Sequence, residues 1–241
     1  MNVQFYIHPS QIVSNIVRLD EAECLHATQV LRLRVGDRCV ATDGCGHRYE
    51  LELVSITRKE AQAVILHTDS FQKSPVLRGV ALGSLYKKDR IEWALEKAVE
   101  LGVDYFYLYQ ADHSERQRWK KSRLEQIILS ACKQSKRTWF PELILADNLQ
   151  QVKLEAEKRC QGKDLNLWAA NESDTSSERL PKKLLEGCNL FFIGPEGGFS
   201  ANELNWFEYE RIPQILLGAQ FADGGILRAE TALVTILAKY Y

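Results

Sequence analysis

The sequence predicts an α/β protein of two domains: a small β-rich domain over residues 1–72, then a larger domain over 73–241 in which helices cover a mostly parallel sheet. Three observations predict it. The 241 residues exceed a typical single-domain length. Up to residue 70 the chain carries short alternating segments punctuated by Asp43-Gly44 and Gly46, the pattern of small strands and tight turns. From Val76 onward short apolar runs alternate with longer amphipathic ones, as in parallel sheets built from strand–helix units.

Taken in order, residues 3–7, 38–42, 49–56 and 61–66 read as strands and 20–33 has helical spacing, which suits a small barrel. Residues 70–75, Ser-Phe-Gln-Lys-Ser-Pro, read as the linker. Beyond it, strands are expected at 76–83, 105–109, 143–145, 165–169, 190–193 and 215–217. Helices are expected at 89–101, 121–135, within 149–160, and at 201–209 and 229–239. Gly102 is placed to cap the first of these helices, and Ser200 with Glu203 has capping-box spacing. Glu92, Glu96 and Glu100 form a like-charged row that Lys88 and Lys97 can offset, so that helix reads as structural. The polar segment 171–178 reads as an exposed loop, and periodicity is silent on how the last strands thread.

Composition excludes several classes. A net charge of −1 is not that of a uniformly basic nucleic-acid binder. Between Arg116 and Arg137, however, eight basic residues face one acid, Glu125, with Trp119 among them and Trp139-Phe140 just after. Such a run is either a solvated helix face or an RNA contact, since cations position phosphates and aromatics stack on unpaired bases. The six cysteines are scattered without a C-x-x-C pair, and the five histidines lack ligand spacing, so no metal is expected. No apolar run approaches the roughly 18 residues that span a bilayer, and the start lacks a signal-like apolar segment. The expectation is a reduced, cytoplasmic protein with no membrane partner.

The densest chemical signal is Gly194-Pro195-Glu196-Gly197-Gly198-Phe199-Ser200, which follows the apolar run Asn189–Ile193 and precedes a capped helix. Glycines between a strand and a helix let the backbone approach a ligand at the carboxyl end of a sheet. The pattern is neither G-x-G-x-x-G nor a phosphate loop. A carboxylate at Glu196 repels phosphate and suits ribose hydroxyls or a cation. A purely structural tight turn is the competing interpretation.

A second motif follows: Leu217-Gly218, then Ile226-Leu227-Arg228-Ala229-Glu230-Thr231-Ala232. Together the two motifs resemble the SPOUT-class 16S ribosomal RNA (uracil-N3)-methyltransferase family. Shorter pieces extend the likeness: Val30-Leu31-Arg32-Leu33 with Gly36-Asp37, 97–103, Ser114-Glu115-Arg116, and 131–137. The resemblance implies a PUA-like β-barrel before a SPOUT α/β domain closed by a trefoil knot, a rare exception to the rule against threaded chains. It also implies a homodimer, S-adenosyl-L-methionine as cofactor, and 16S rRNA or the small ribosomal subunit as partner. By the same resemblance Leu167, Ala169, Gly194, Glu196, Gly197, Gly198, Leu217, Gly218, Ile226, Leu227 and Arg228 hold the cofactor. Arg116, Gln134 and Arg137 are the RNA contacts it implies, and Arg32 and Arg34 read either as further phosphate contacts or as ordinary surface charge.

Arg228 is the candidate catalytic residue, a cation able to stabilise negative charge on a uracil losing its N3 proton. It reads equally as a structural arginine tied to Glu230. Seven residues, 219–225, separate the two halves of the second motif, a longer insertion than the family pattern. Gln4 stands near a position that is usually basic in that pattern. The rival functions are a non-catalytic ribosome- or RNA-binding protein on the same fold, hinted at by that insertion, and a nicotinamide-dependent oxidoreductase, which lacks its glycine fingerprint.

Overall fold

A computed structural model describes residues 4–57, 59–85, 87–115, 118–171, 180–217 and 225–241. The chain forms two compact units: Met1–Lys73 with Leu129–Phe140, and Ser74–Ile128 with Pro141–Tyr241.

The first unit contains β1 (Gln4–Tyr6), β2 (Ile12–Val13), β3 (Ile16–Leu19), α1 (Glu21–Leu25), β4 (Arg38–Thr42), β5 (His47–Ile56) and β6 (Ala61–Ser70). They make a six-stranded sheet of order β1-β4-β5-β6-β3-β2. Its apolar face buries Phe5, Ile7, Leu19, Leu51 and Leu53 almost completely. The helix expected over 20–33 starts where its cap predicts, with Asp20 Oδ1 accepting from Glu23 N at 2.9 Å. It then widens into a π-helical turn over His26–Val30 capped by Leu31, and the next residue, Arg32, has φ 56°. The hairpin β2–β3 escaped the sequence reading, although Ser14-Asn15 between two Ile-Val pairs is a two-residue turn signal and Ser14 has φ 56°. Because β6 runs through Ser70, the linker is shorter than expected.

The segment Leu129–Phe140 belongs to the first unit rather than to the contiguous second domain expected from sequence. Its contacts give the reason. Lys133 Nζ lies 2.6 Å from Glu23 Oε1, Gln4 Nε2 donates to Arg137 O at 2.9 Å, and Trp139 Nε1 donates to Phe71 O at 2.9 Å. Gly46 N donates to Thr138 O and Phe140 N to Gly44 O, so this segment continues the β4–β5 turn region. Trp139 and Phe140, candidate base-stacking aromatics, cover Gly46 and Gly44 so closely that neither glycine has room for a Cβ. Gln4 is buried, its Nε2 spent on the Arg137 carbonyl and its Oε1 without a hydrogen-bond partner among the described residues.

The second unit holds β7 (Val76–Gly83), α2 (Lys88–Glu100), β8 (Tyr105–Tyr109), α3 (Lys121–Ser135, whose last turns belong to the first unit), β9 (Glu142–Ala146), α4 (Leu149–Cys160), β10 (Leu165–Ala170), β11 (Gly187–Ile193), α5 (Ala201–Tyr209), β12 (Gln214–Ile215) and α6 (Ala229–Lys239). Its sheet has the order β12-β10-β11-β7-β8-β9, with every pair parallel. A parallel sheet must be covered on both faces. On one face Tyr107, Tyr109, Phe192 and Phe207 pack with residues of α4 and α5. On the other, Phe191 stacks on Trp168 at 4.9 Å and meets Tyr240 at 6.0 Å. α2 and α6 pack against one another. The glutamate row on α2 is paired: Glu92 with Arg123, and Glu96 and Glu100 with Lys97.

Among the described residues no helix is long and apolar enough to cross a membrane, and no group of three metal-binding side chains assembles. All six cysteines are free thiols.

Candidate functional site

Strand register decides where ligand-facing backbone can gather. Ala170 at the end of β10 lies opposite Ile193 of β11 and Ile215 of β12. Three neighbouring parallel strands therefore end at one level, and the chain leaves them side by side at the carboxyl edge of the sheet, where α/β proteins bind ligands. Asn171 fixes the level beyond the strands, its amide N donating to Ile215 O at 3.0 Å and its Nδ2 to Gln214 Oε1 at 2.6 Å.

A cavity of about 330 Å³ opens there, a size found for small-molecule sites. Its floor is Ile193 and Ala170, one wall is the turn Gly194–Phe199, and the other is Leu217 with Ile226, Leu227 and Arg228. Gly198 N donates to Pro195 O at 2.9 Å to close the turn, and Gly198 takes φ 68°, which a side chain would strain. A Cβ on Gly83, at the end of β7, would lie 2.9 Å from both Pro195 N and Cδ. The glycine at the neighbouring strand end thus lets the loop lie flat across the sheet edge.

The far side of the loop is anchored by the β8–α3 connection. His113 Nδ1 lies 3.1 Å from Gly197 O. The capping box forms as its spacing predicts: Ser200 N donates to Glu203 Oε2 at 2.8 Å and Glu203 N to Ser200 Oγ at 3.1 Å. Ser200 Oγ also donates to Asp112 Oδ2 at 2.6 Å, and Asp112 N to Glu203 Oε1 at 3.4 Å. Burial raises the Glu203 carboxyl above its ordinary range, against the lowering effect of those backbone donors. These groups fix the loop from behind, which leaves its other side for a ligand.

Arg90, on the first turn of α2, joins the two walls. Its Nη1 donates to Glu196 Oε1 at 3.2 Å, and its Nε lies 3.8 Å from Glu230 Oε1 at the start of α6. Arg228 is the N-cap residue of α6 and is exposed, without an ion pair or side-chain hydrogen bond to the described residues. The tie between Arg228 and Glu230 considered from sequence is therefore absent from the described contacts, and Arg90 takes that place.

The other sequence candidates fall as follows. Gly194, Glu196, Gly198, Leu217, Ile226, Leu227 and Arg228 line the cavity. Leu167 and Ala169 lie outside its wall: both contact the core face shared with α4 and α5, and strand alternation turns Ala170 to the cavity instead. Gly197 packs on His113 rather than on the cavity. Gly218, the 219–225 insertion up to residue 224, and Arg116 lie outside the described residues. Arg32, Arg34, Gln134 and Arg137 all belong to the first unit. Arg32, Arg34 and Gln134 are exposed and Arg137 is half-buried. Sequence reasoning missed Arg90, Gly83 and His113. Only Gly83, a glycine ending a predicted strand, carried a local signal.

Residues 72–240 match the family described as "RNA methyltransferase domain", and residues 19–66 match "RNA methyltransferase PUA domain". The chain belongs to this RNA methyltransferase family. A curated relative, the ribosomal RNA small subunit methyltransferase E of Bacillus subtilis (strain 168), is 27% identical over 223 residues, covering 87% of this chain and 83% of its own. Among solved structures, a probable rRNA-methyltransferase from Porphyromonas gingivalis is 28% identical with TM-score 0.81, covering 98% of this chain and 95% of its own. A ribosomal RNA small subunit methyltransferase E from Neisseria gonorrhoeae, solved bound to S-adenosyl methionine, is 25% identical with TM-score 0.78, covering 99% of this chain and 96% of its own. The family match spans every residue that lines the cavity, from Arg90 to Ala232.

Proposed function

We propose that this protein methylates the N3 of a specific uridine in 16S rRNA of the small ribosomal subunit, with S-adenosyl-L-methionine as methyl donor. The observation that carries the reading is the cavity at the ends of three adjacent parallel strands, in a chain of the RNA methyltransferase family. Its size and its glycine wall fit a nucleoside-bearing cofactor. The close approach at Gly83 and the left-handed Gly198 keep backbone, not side chains, at the ligand surface. The donor supplies an electrophilic methyl group when bound, so the protein's task is chiefly to position the reactants.

In this reading the main chain of Gly194, Glu196 and Gly198 holds the polar part of the cofactor, and Leu217, Ile226 and Leu227 enclose its adenine. Gly197 lets the loop lie close against His113 behind it, Gly218 is a further cofactor-binding position in this reading, and Leu167 and Ala169 support the β10 end from the core. Arg90 neutralises Glu196 and holds the glycine loop to α6. Arg228, at the cavity mouth and free of a described partner, stabilises negative charge as the uracil loses its N3 proton. The target base must be unpaired or flipped, because pairing hides N3. Arg32, Arg34, Arg116, Gln134 and Arg137 hold the RNA.

The finer architecture belongs to the same proposal. The first-unit sheet is a PUA-like barrel, and the last strands and α6 form a trefoil knot. The domains divide at 72/73, with Leu129–Phe140 an excursion into the first. The protein acts as a homodimer, for which Trp93, 45% exposed on α2, offers an apolar contact. It acts in the cytoplasm, where six free thiols stay reduced. Calorimetry with S-adenosylmethionine, then mass spectrometry of rRNA nucleosides from a deletion strain, tests the function. A folded protein with no measurable cofactor affinity returns the reading to a non-catalytic binder, and an unchanged N3-methyluridine content removes the assigned product.

A further inference from the structure

A second cavity, of about 130 Å³, lies on the same unit between the first turns of α2 and α3. It is lined by the apolar side chains Ile91, Trp119 and Leu124, and by Lys88, Arg118, Lys120, Arg123 and Glu92. Four cations therefore surround one carboxylate. Glu92 is already engaged by a two-pronged contact, Arg123 Nε to Oε1 at 3.1 Å and Nη2 to Oε2 at 2.9 Å. Lys88, Arg118 and Lys120 make no ion pair with the described residues. The Trp119 indole Nε1 is buried without a hydrogen-bond partner among them. A buried indole N–H ordinarily finds an acceptor, so this one leaves a donor for an incoming group.

An aromatic ring, an unanswered donor and uncompensated cations ask for one chemistry: a planar ring bearing acceptors and attached to an anion. We propose that this cavity seats a single unstacked nucleotide of the RNA substrate, its base against the Trp119 ring and its phosphate against Arg118 and Lys120. This rests on the rRNA reading above and adds to it a subsite for a nucleotide other than the target. Aromatic–base stacking supplies affinity with little sequence preference, and the cations supply salt dependence.

The test uses the full-length protein and a radiolabelled small-subunit rRNA transcript in filter binding over a range of salt. Trp119→Ala raises the RNA Kd about 5- to 150-fold while cofactor affinity by calorimetry stays unchanged. Trp119→Phe recovers part of that loss by restoring a ring. Arg118→Gln and Lys120→Gln, both at exposed positions, each reduce the slope of log K against log salt by about 0.7. They keep the proposal testable if Trp119→Ala fails to fold. Failure of the wild type to bind the transcript overturns the rRNA reading and this subsite with it. Wild-type binding that Arg137→Glu weakens, but the Arg118, Trp119 and Lys120 variants leave unaltered in Kd and slope, overturns the subsite alone. So does a change confined to the sedimentation mass of the protein, which assigns the cavity to a subunit contact.

Discussion

Replacing Arg90 with glutamine removes the cation that bridges the glycine loop and the last helix. The Glu196 arm is a 3.2 Å hydrogen bond to a carboxylate that keeps a third of its surface in water. Fully exposed pairs contribute up to about 1 kcal/mol and hydrogen bonds to charged groups about 1.5–3 kcal/mol, so about 1 kcal/mol suits this half-exposed arm. The Glu230 arm, at 3.8 Å, is too long for a hydrogen bond, yet Glu230 is only 12% exposed and its Oε2 is buried without a partner. Removing the nearby cation strands that charge, at a cost of about 1 kcal/mol more. The total of about 2 kcal/mol appears as a cofactor Kd on the order of 30-fold weaker, because the loop must be held before it can bind. Calorimetry on Arg90→Gln, Glu196→Gln and the double variant isolates the pair. The expected coupling is about 1 kcal/mol, so the double variant is about 5-fold better than the product of the single effects. Effects that multiply independently, or an Arg90→Gln protein with wild-type affinity, would refute the bridge.

Gly83→Ala forces a Cβ within 2.9 Å of the Pro195 backbone. It should cost about 1–3 kcal/mol and weaken cofactor binding, and an unshifted melting temperature would contradict the close approach. Gly198 sits at φ 68° with open space around its missing Cβ, so Gly198→Ala should lose about 1–2 kcal/mol through strain alone. Gly198→Asn should lose less, and equal melting temperatures for the two variants would argue against a strain origin. Asp43 is partly desolvated, which raises its pKa, but donors from Cys45, His47 and Tyr49 outweigh burial and hold it below its ordinary value. Its depressed folded pKa gives stability that is present above about pH 4 and lost as pH falls through the folded value. Asp43→Asn should therefore be destabilised at pH 7, with the gap to wild type narrowing below pH 4 in thermal melts; a constant gap would exclude the linkage. Arg137→Glu should weaken rRNA binding while leaving cofactor affinity intact, and an unaltered RNA Kd would remove it from that surface.

The sequence spoke most clearly where a local rule was sufficient. The helices over 121–135, 201–209 and 229–239 appear with the expected bounds, and the one expected within 149–160 fills that span, because caps and apolar periodicity act within a few residues. The strands at 76–83 and 105–109 were equally plain, since strands buried on both faces read as continuous apolar runs. The helix over 20–33 was overextended, because helical spacing does not distinguish an α-turn from the π-helical turn that follows it. The membership of 129–140 was invisible for a different reason. Lys133–Glu23 and Gln4–Arg137 join residues more than a hundred positions apart, and neither end announces its partner.

The same division runs through the candidate site. The glycine loop and Ile226-Leu227-Arg228 carry their chemistry in contiguous residues, and both line the cavity. Along β10, alternation sends Leu167 and Ala169 to the α4–α5 core and Ala170 to the cavity, a division that follows only once the sheet's two faces are known. Arg90 shows the consequence for Glu196. From the loop alone, that carboxylate was available to a ribose or a cation. Across 106 residues of sequence it meets a guanidinium, and the loop's charge is cancelled before any ligand arrives. Discrimination by the loop must then come from its backbone groups and its shape, which is why its glycines, rather than its acid, are the positions where substitution should be felt most.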